Sequence, residues 1–189
     1  TELKQPRGNN LPIDAFFRSL AQDQGAHAVC IILSGTGSDG TLGLKAIKGE
    51  LGLVIVQDEE SAGYEGMPRS AIATHLVDYV LPPHKMPEAL INYMQHTRNV
   101  EQGQESSPQI TSAILFNVYA LLRTHTHNDF SLYKENTIIR RIERRMAVHQ
   151  IVDAPVYVRY LQENEREVNI LFKELLIGVT SFFRDPASF

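Results

Sequence analysis

The chain has 189 residues, 43% of them apolar and 21% charged, which is enough apolar material for a buried core and too much for a disordered tail. Its 18 basic and 22 acidic residues give a formal net charge of −4, which argues against general nucleic-acid or membrane-surface binding, and no apolar run approaches the roughly 18 residues of a membrane span. A single cysteine, Cys30, excludes an internal disulfide framework and fits a reducing, cytoplasmic compartment.

At roughly 150 residues per domain, the length allows one large or two small domains. Ten of the twelve glycines fall within residues 1–66, so tight strand-to-helix turns belong to the first half and long helices to the second. Between the halves, residues 99–111 (NVEQGQESSPQIT) are almost without apolar side chains and read as a linker. The expected organisation is therefore 1–98, a linker 99–111, and 112–189. The chain opens on Thr1 rather than Met, before a polar stretch broken by Pro and Gly, and is expected to be a piece of a longer protein.

In chain order, Ile13–Gln24 has helical apolar spacing at Ile13, Phe16, Phe17 and Leu20, with Gly25 placed as the stop. Ala28–Leu33 is a short, wholly apolar run, the pattern of a strand covered on both faces. Thr41–Lys48 reads as a helix, Leu53–Val56 as a second buried strand, Pro68–Thr74 as a helix and Val77–Leu81 as a third strand stopped by Pro82 and Pro83. Lys85–Arg98 closes the half as a helix. Strands alternating with helices across short turns predict a parallel sheet. Three strands are few for that architecture, so the fold class is a truncated α/β half-domain of three-layer αβα type.

The second half predicts helices alone. Ser112–Arg123 carries Ile114, Leu115, Val118, Leu121 and Leu122 on one face. Thr137–Met146, Val156–Gln162 and Glu165–Ile177 follow, the last with Val168, Leu171, Phe172 and Leu175 inward. An all-α helical bundle results.

Two features carry possible chemistry. Gly35–Gly40 spell GTGSDG after a strand and before a helix, with Asp58 at the end of the next strand, which is the pattern of a dinucleotide site. Asp39 opposes that reading, because a fixed carboxylate at a helix N-terminus repels a pyrophosphate and takes the amides for itself. Asp39 capping its own helix, assisted by Ser38 and Thr41, is the plainer alternative. On spacing, capping ranks first, nucleotide binding second and catalysis third. The second feature is TIIRRIERRM. Arg140 and Arg144 are four apart, as are Arg141 and Arg145, so all four share one arc, opposite Ile138, Ile139, Ile142 and Met146. Four guanidiniums offered to solvent suit carboxylate recognition, although a solvated polar face is the commoner meaning of such a run. Nucleic acid is not the expected partner, since residues 101–189 hold 10 basic against 11 acidic residues and lack interleaved aromatics.

Residues 11–95 resemble the C-terminal part of the chemotaxis receptor methylesterase domain, through LPIDAFFRSLA (Leu11–Ala21), IILSGTGSDGTLGLKAIK (Ile31–Lys48), VQDEESAGYEGMPRSAI (Val56–Ile72) and VDYVLPP (Val77–Pro83). The resemblance implies that Asp39 is the acid of a Ser-His-Asp triad, fixing the tautomer of a histidine, and that the backbone at Thr36 helps form the oxyanion pocket. It places the serine and histidine upstream of this chain. None of the seven histidines fits the family's motif; His75 and His84 flank a strand as surface residues. On its own the chain is expected to leave the ester intact.

Residues 114–189 resemble the N-terminal helical domain of the chemotaxis receptor methyltransferase, through YKENTIIRRIERRM (Tyr133–Met146), YVRYLQEN (Tyr157–Asn164) and IGVTSFFRDPASF (Ile177–Phe189). This resemblance implies that the basic helix, with Arg140, Arg141, Arg144 and Arg145, faces the acidic methylation helix of a chemoreceptor-like protein. It also implies that Thr180 and Arg184 contribute to an S-adenosylmethionine pocket, with Gly178 standing where the family commonly has an asparagine. Phe182 and Phe183 read as packing residues. The two resemblances together imply a bifunctional methylesterase–methyltransferase of chemotaxis-type signalling, spanned here at its junction, without direct membrane insertion. An incompletely covered α/β half would self-associate. The rival readings are a nucleotide-binding module and a non-catalytic signalling adaptor.

Overall fold

A computed structural model describes residues 11–101 and 108–177. The chain divides into two compact units, Thr1–Met86 and Pro87–Phe189.

The first unit begins with α1 (Pro12–Gln24), where Pro12 supplies a pre-set φ at the first helical position and Gly25, at φ 54°, ends the helix with its N–H on the Ala21 carbonyl. The strands β1 (Val29–Ile32), β2 (Leu53–Gln57) and β3 (Tyr79–Leu81) form one sheet in the order β1-β2-β3, parallel throughout. Val29 stands opposite Leu53, and Ile55 opposite Tyr79. Parallel neighbours need crossovers, and α2 (Thr41–Gly49) and α3 (Gly66–Ile72) lie in them. Every residue of the central strand β2 is buried, Leu53–Val56 as their apolar run predicts and Gln57 with its amide bonded to Ser34 and Ser61. β3 starts two residues later than its apolar run suggests. Before it, the Asp78 carboxylate turns inward, accepting from Lys48 Nζ at 2.7 Å and from the Val54 N–H at 2.9 Å.

Helix α1 buries a different face from the expected one. Asp14, Phe17 and Ala21 are inside, whereas Phe16 is 61% exposed. The close approach of α1 to α2 is the cause. Gly43 on α2 has no side chain, and a Cβ there would lie 2.7 Å from Phe17 Cβ and 3.0 Å from Asp14 Cα.

The second unit holds α4 (Met86–Glu101), α5 (Ser112–Thr126), α6 (Glu135–Val148), α7 (Ala154–Glu163) and α8 (Glu165–Leu176). Thr111 caps α5, its side chain accepting the Ile114 N–H, and His127 closes that helix in the left-handed conformation at φ 59°. Ile114, Leu115, Val118 and Leu122 from α5 pack with Ile138, Ile142 and Met146 from α6. Ala154, Tyr157, Val158 and Leu161 from α7, Val168, Leu171 and Leu175 from α8, and Phe130 from the loop before α6 complete this core. The predicted fold class, a parallel three-stranded half followed by helices, is the architecture observed.

Candidate functional site

Asp39 sits half-buried at the end of the loop that leaves β1. Its carboxylate does not cap α2. That helix begins at Gly40, whose φ of 92° needs a glycine and which offers no side-chain cap. Instead, Asp39 reaches across to α1. Oδ2 accepts the Ile13 N–H at 3.1 Å and Oδ1 the Asp14 N–H at 2.9 Å. Leu11, at the N-cap position of α1, has no side-chain acceptor, so Asp39 meets a need of the neighbouring helix. The expected help from Ser38 and Thr41 is absent: Ser38 is exposed, and the buried Thr41 hydroxyl makes no hydrogen bond.

The loop before Asp39 is braced from one side and open on the other. Gly35 donates to the Tyr64 carbonyl at 2.9 Å and accepts from the Met67 N–H at 2.9 Å. Ser34 adds two further ties, its N–H donating to Gln57 Oε1 at 2.8 Å and its hydroxyl accepting the Tyr64 N–H at 2.8 Å. A Cβ on Gly35 would displace the Met67 thioether, and one on Gly66 would lie 2.8 Å from the Gly37 nitrogen, a backbone approach that requires glycine. Beyond this brace Thr36, Gly37 and Ser38 are exposed, and among the described residues no acceptor engages the Thr36 N–H. A held carboxylate and an open amide thus share one short loop. Asp58, the acid a dinucleotide would need, accepts the Ser61 N–H at 2.7 Å and closes its own turn. At the start of α2, where a pyrophosphate would sit, the Asp14 carboxylate already takes the Gly43 N–H at 2.6 Å.

The arginine helix corrects an expectation. Of Arg140, Arg141, Arg144 and Arg145, only Arg140 is exposed; the others are 6%, 6% and 1% accessible. At about 100° per residue the four span about 140°, which brings Arg145 within about 20° of Ile138 at the edge of the apolar face. The partners come from α8. Arg145 donates through Nε to Glu167 Oε1 at 2.7 Å and through Nη2 to Glu167 Oε2 at 2.5 Å, and its Nη1 lies 3.4 Å from Glu174 Oε1. Arg144 Nη1 donates to Glu174 Oε1 at 3.1 Å. Tyr157 donates its hydroxyl proton to Glu167 Oε1 at 2.9 Å, and His149 Nε2 lies 2.9 Å from Glu167 Oε2. Burial pushes the Glu167 carboxyl up, but the His149 hydrogen bond and the Arg145 charge outweigh it and hold the group at about 2. Burial also drives the Tyr157 phenol well above its ordinary range, and Glu167 adds to the effect. Arg144 and Arg145 tie α6 to α8.

Comparison with known proteins accounts for both halves. Residues 1–90 match the family model described as CheB methylesterase, and residues 117–176 match that described as CheR methyltransferase, all-alpha domain. The chain joins a CheB-like segment to a segment like the CheR all-alpha domain. An uncharacterised 104.1 kDa protein of Rhodobacter capsulatus is 38% identical over 98% of this chain and 22% of its own length, so one relative carries both segments. A protein-glutamate methylesterase/protein-glutamine glutaminase of Moorella thermoacetica is 42% identical over 42% of this chain and 19% of its own. Its Pyrococcus horikoshii counterpart is 38% identical over 45% and 23%. The crystal structure of the Thermotoga maritima CheB methylesterase catalytic domain is 38% identical, covering 47% of this chain and 48% of that one with a TM-score of 0.44. The chain spans about a fifth of the length of these curated relatives.

Within the CheB segment the structure brings Asp39 and Thr36 into one loop, as their spacing requires. It adds a residue that sequence reading passed over: Asp14, which stands at the third position of α1 and looks like an ordinary first-turn acid. In the CheR segment the missed residues are Glu167 and Glu174. Their seven-residue spacing sets them on one face beside Leu171, a signal that the sequence did contain. Thr180 and Arg184, with Gly178, Phe182 and Phe183, lie outside the described residues.

Proposed function

We propose that this chain is the junction of a bifunctional protein that removes methyl groups from receptor glutamates by serine hydrolysis and adds them from S-adenosylmethionine. Its methylesterase part runs over residues 1–98, a linker over 99–111 and the methyltransferase part over 112–189. Asp39 is the acid of the triad. The observation that carries this reading is the Asp39 carboxylate, held by two backbone amides at 3.1 and 2.9 Å beside an exposed loop whose Thr36 N–H has no acceptor among the described residues. A carboxylate oriented in this way can fix a histidine tautomer and stabilise its charged form, while an open amide can receive an oxyanion. Serine and histidine come from a segment that precedes this one, so the chain alone is inactive as an esterase.

The second half contacts an acidic methylation helix of a chemoreceptor-like protein, with Arg140 as the exposed member of its arginine set. The S-adenosylmethionine reading rests on Thr180 and Arg184 by resemblance, and no described residue is assigned to that cofactor. A cytoplasmic location agrees with the single buried cysteine and with the described residues, among which no helix is long and apolar enough to cross a membrane.

The test is methanol release from a methylated receptor. The chain alone should match the no-enzyme blank. A longer protein with the preceding segment should turn over, and D39N in that protein should cost about 10⁴-fold in kcat, the scale seen when a triad acid becomes an amide. Unchanged turnover in D39N would remove Asp39 from the triad.

A further inference from the structure

The capping of α1 by Asp39 is half of a reciprocal arrangement. Asp39, two residues before α2, receives the Ile13 and Asp14 N–H groups of α1. Asp14, in the first turn of α1, returns a carboxylate to α2, its Oδ1 accepting the Gly43 N–H at 2.6 Å with the Asp14 residue 0% exposed. Each helix start thus depends on a carboxylate carried by the other segment. Gly43 allows the approach, because a Cβ there would meet the Asp14 Cα at 3.0 Å.

We infer that Asp14 is a positioning residue for Asp39: by holding the Gly43 amide it fixes the first turn of α1, and so fixes the two amides that orient the Asp39 carboxylate. This rests on the reading of Asp39 as a triad acid. The direction of the Asp39 carboxylate is set by where the Ile13 and Asp14 amides lie, which Leu11 at the N-cap, lacking a side-chain acceptor, does not fix. The Asp14–Gly43 bond does, since it is short and out of reach of water. Without it the Gly43 N–H loses its partner and α1 can slide along α2. The Asp39 carboxylate would then turn, and a misplacement on the ångström scale in such a group costs about 100-fold in rate. What Asp14 supplies is an acceptor at a fixed place, which an asparagine oxygen also supplies.

The experiment has two arms. Amide hydrogen exchange is followed by NMR at Ile13, Asp14 and Gly43 in the 189-residue chain, in wild type, D14A, D14E and D14N. D14A should speed exchange at Gly43 and, through Asp39, at Ile13 by at least about tenfold. D14E keeps the charge but moves the acceptor by one methylene, and should loosen Ile13 in a chain that remains folded. D14N should restore protection at both amides. In the longer, esterase-active protein, D14A should lower kcat by about 10- to 100-fold with KM unchanged, and D14N should stay within about threefold of wild type. Wild-type protection of Ile13 in D14A and D14E, a change in KM in place of kcat, or D14N as impaired as D14A would overturn the inference. Full turnover in D39N would instead sink the triad reading and leave the exchange result standing.

Discussion

Replacing Arg145 by Met removes the centre of the ion cluster in the helical unit while keeping the length of the side chain. Arg145 is 1% exposed, and its guanidinium contacts both oxygens of Glu167 and Oε1 of Glu174, residues that are themselves 3% and 0% exposed. The loss leaves Glu167 with His149 and Tyr157 and strips Glu174 of one cation while Arg144 remains. Breaking a buried pair from one side costs about 3–5 kcal/mol. That compares with about 5–15 kcal/mol for the whole stability of a typical domain. Because the chain has two compact units, a global melt would mix two transitions, so the readout is amide exchange at Val168 and Leu171 on α8. A loss of about 4 kcal/mol should speed exchange there by about a thousandfold. Arg140→Met, on the exposed side of α6, should change it by less than about threefold, within the about 0.5 kcal/mol expected of a surface substitution. Equal, small effects for the two variants would mean that Arg145 faces solvent, and would return it to the receptor-facing role expected from its spacing.

Acid should weaken the same unit in a defined window. The Glu167 carboxyl is lowered from 4.5 to about 2, so on acidification the unfolded chain binds the proton first; the stabilisation is whole above 4.5 and drains away as pH falls toward 2, about 3 kcal/mol in all. Protection factors of the Val168 and Leu171 amides between these limits should show the slope in wild type and lose it in E167Q; parallel curves would contradict the assignment. Gly43→Ala should speed amide exchange at Val54 and Ile55 on β2, because overpacking a Cβ against Phe17 and the α1 backbone costs about 1–3 kcal/mol, and unchanged exchange would refute the close approach. Self-association should appear as a rise in sedimentation coefficient with concentration, since β1 ends the sheet order and Ile31 and Leu33 are 40% and 48% exposed. A constant monomer mass would count against it.

Most of the fold was legible because its signals are local. The unbroken apolar run of β2, the Gly25 stop and the 3.6-residue spacing of α5 and α8 each depend on a few neighbouring residues. What escaped depends on partners distant in sequence. A helical wheel places Arg144 and Arg145 on an arc, yet it cannot supply the carboxylates thirty and twenty-two positions away that draw them inward. Asp39 reads as the cap of the helix it precedes, and only the folded chain brings α1 close enough to claim it, across 25 and 26 positions. The face of α1 was misjudged for the same reason, because it buries Asp14 to serve α2 in place of Phe16.

The two sets of carboxylates differ in what they have left to do. Both oxygens of Glu167 are engaged, Oε1 by Arg145 and Tyr157 and Oε2 by Arg145 and His149, inside a buried cluster that no ligand can enter without breaking it. Each Asp39 oxygen takes a single backbone amide, and a carboxylate has about four acceptor positions, so room remains for an imidazole N–H. Asp39 is also half-exposed, which leaves that room within reach of another segment. Backbone amides donate without carrying a charge of their own, so they orient the carboxylate without neutralising it as Arg145 neutralises Glu167. An acid that must stabilise a histidine cation needs that uncancelled charge. The glycine loop of the first unit thus keeps a carboxylate with acceptor capacity to spare, as the proposed triad role needs, whereas the Glu167 cluster of the second serves its fold.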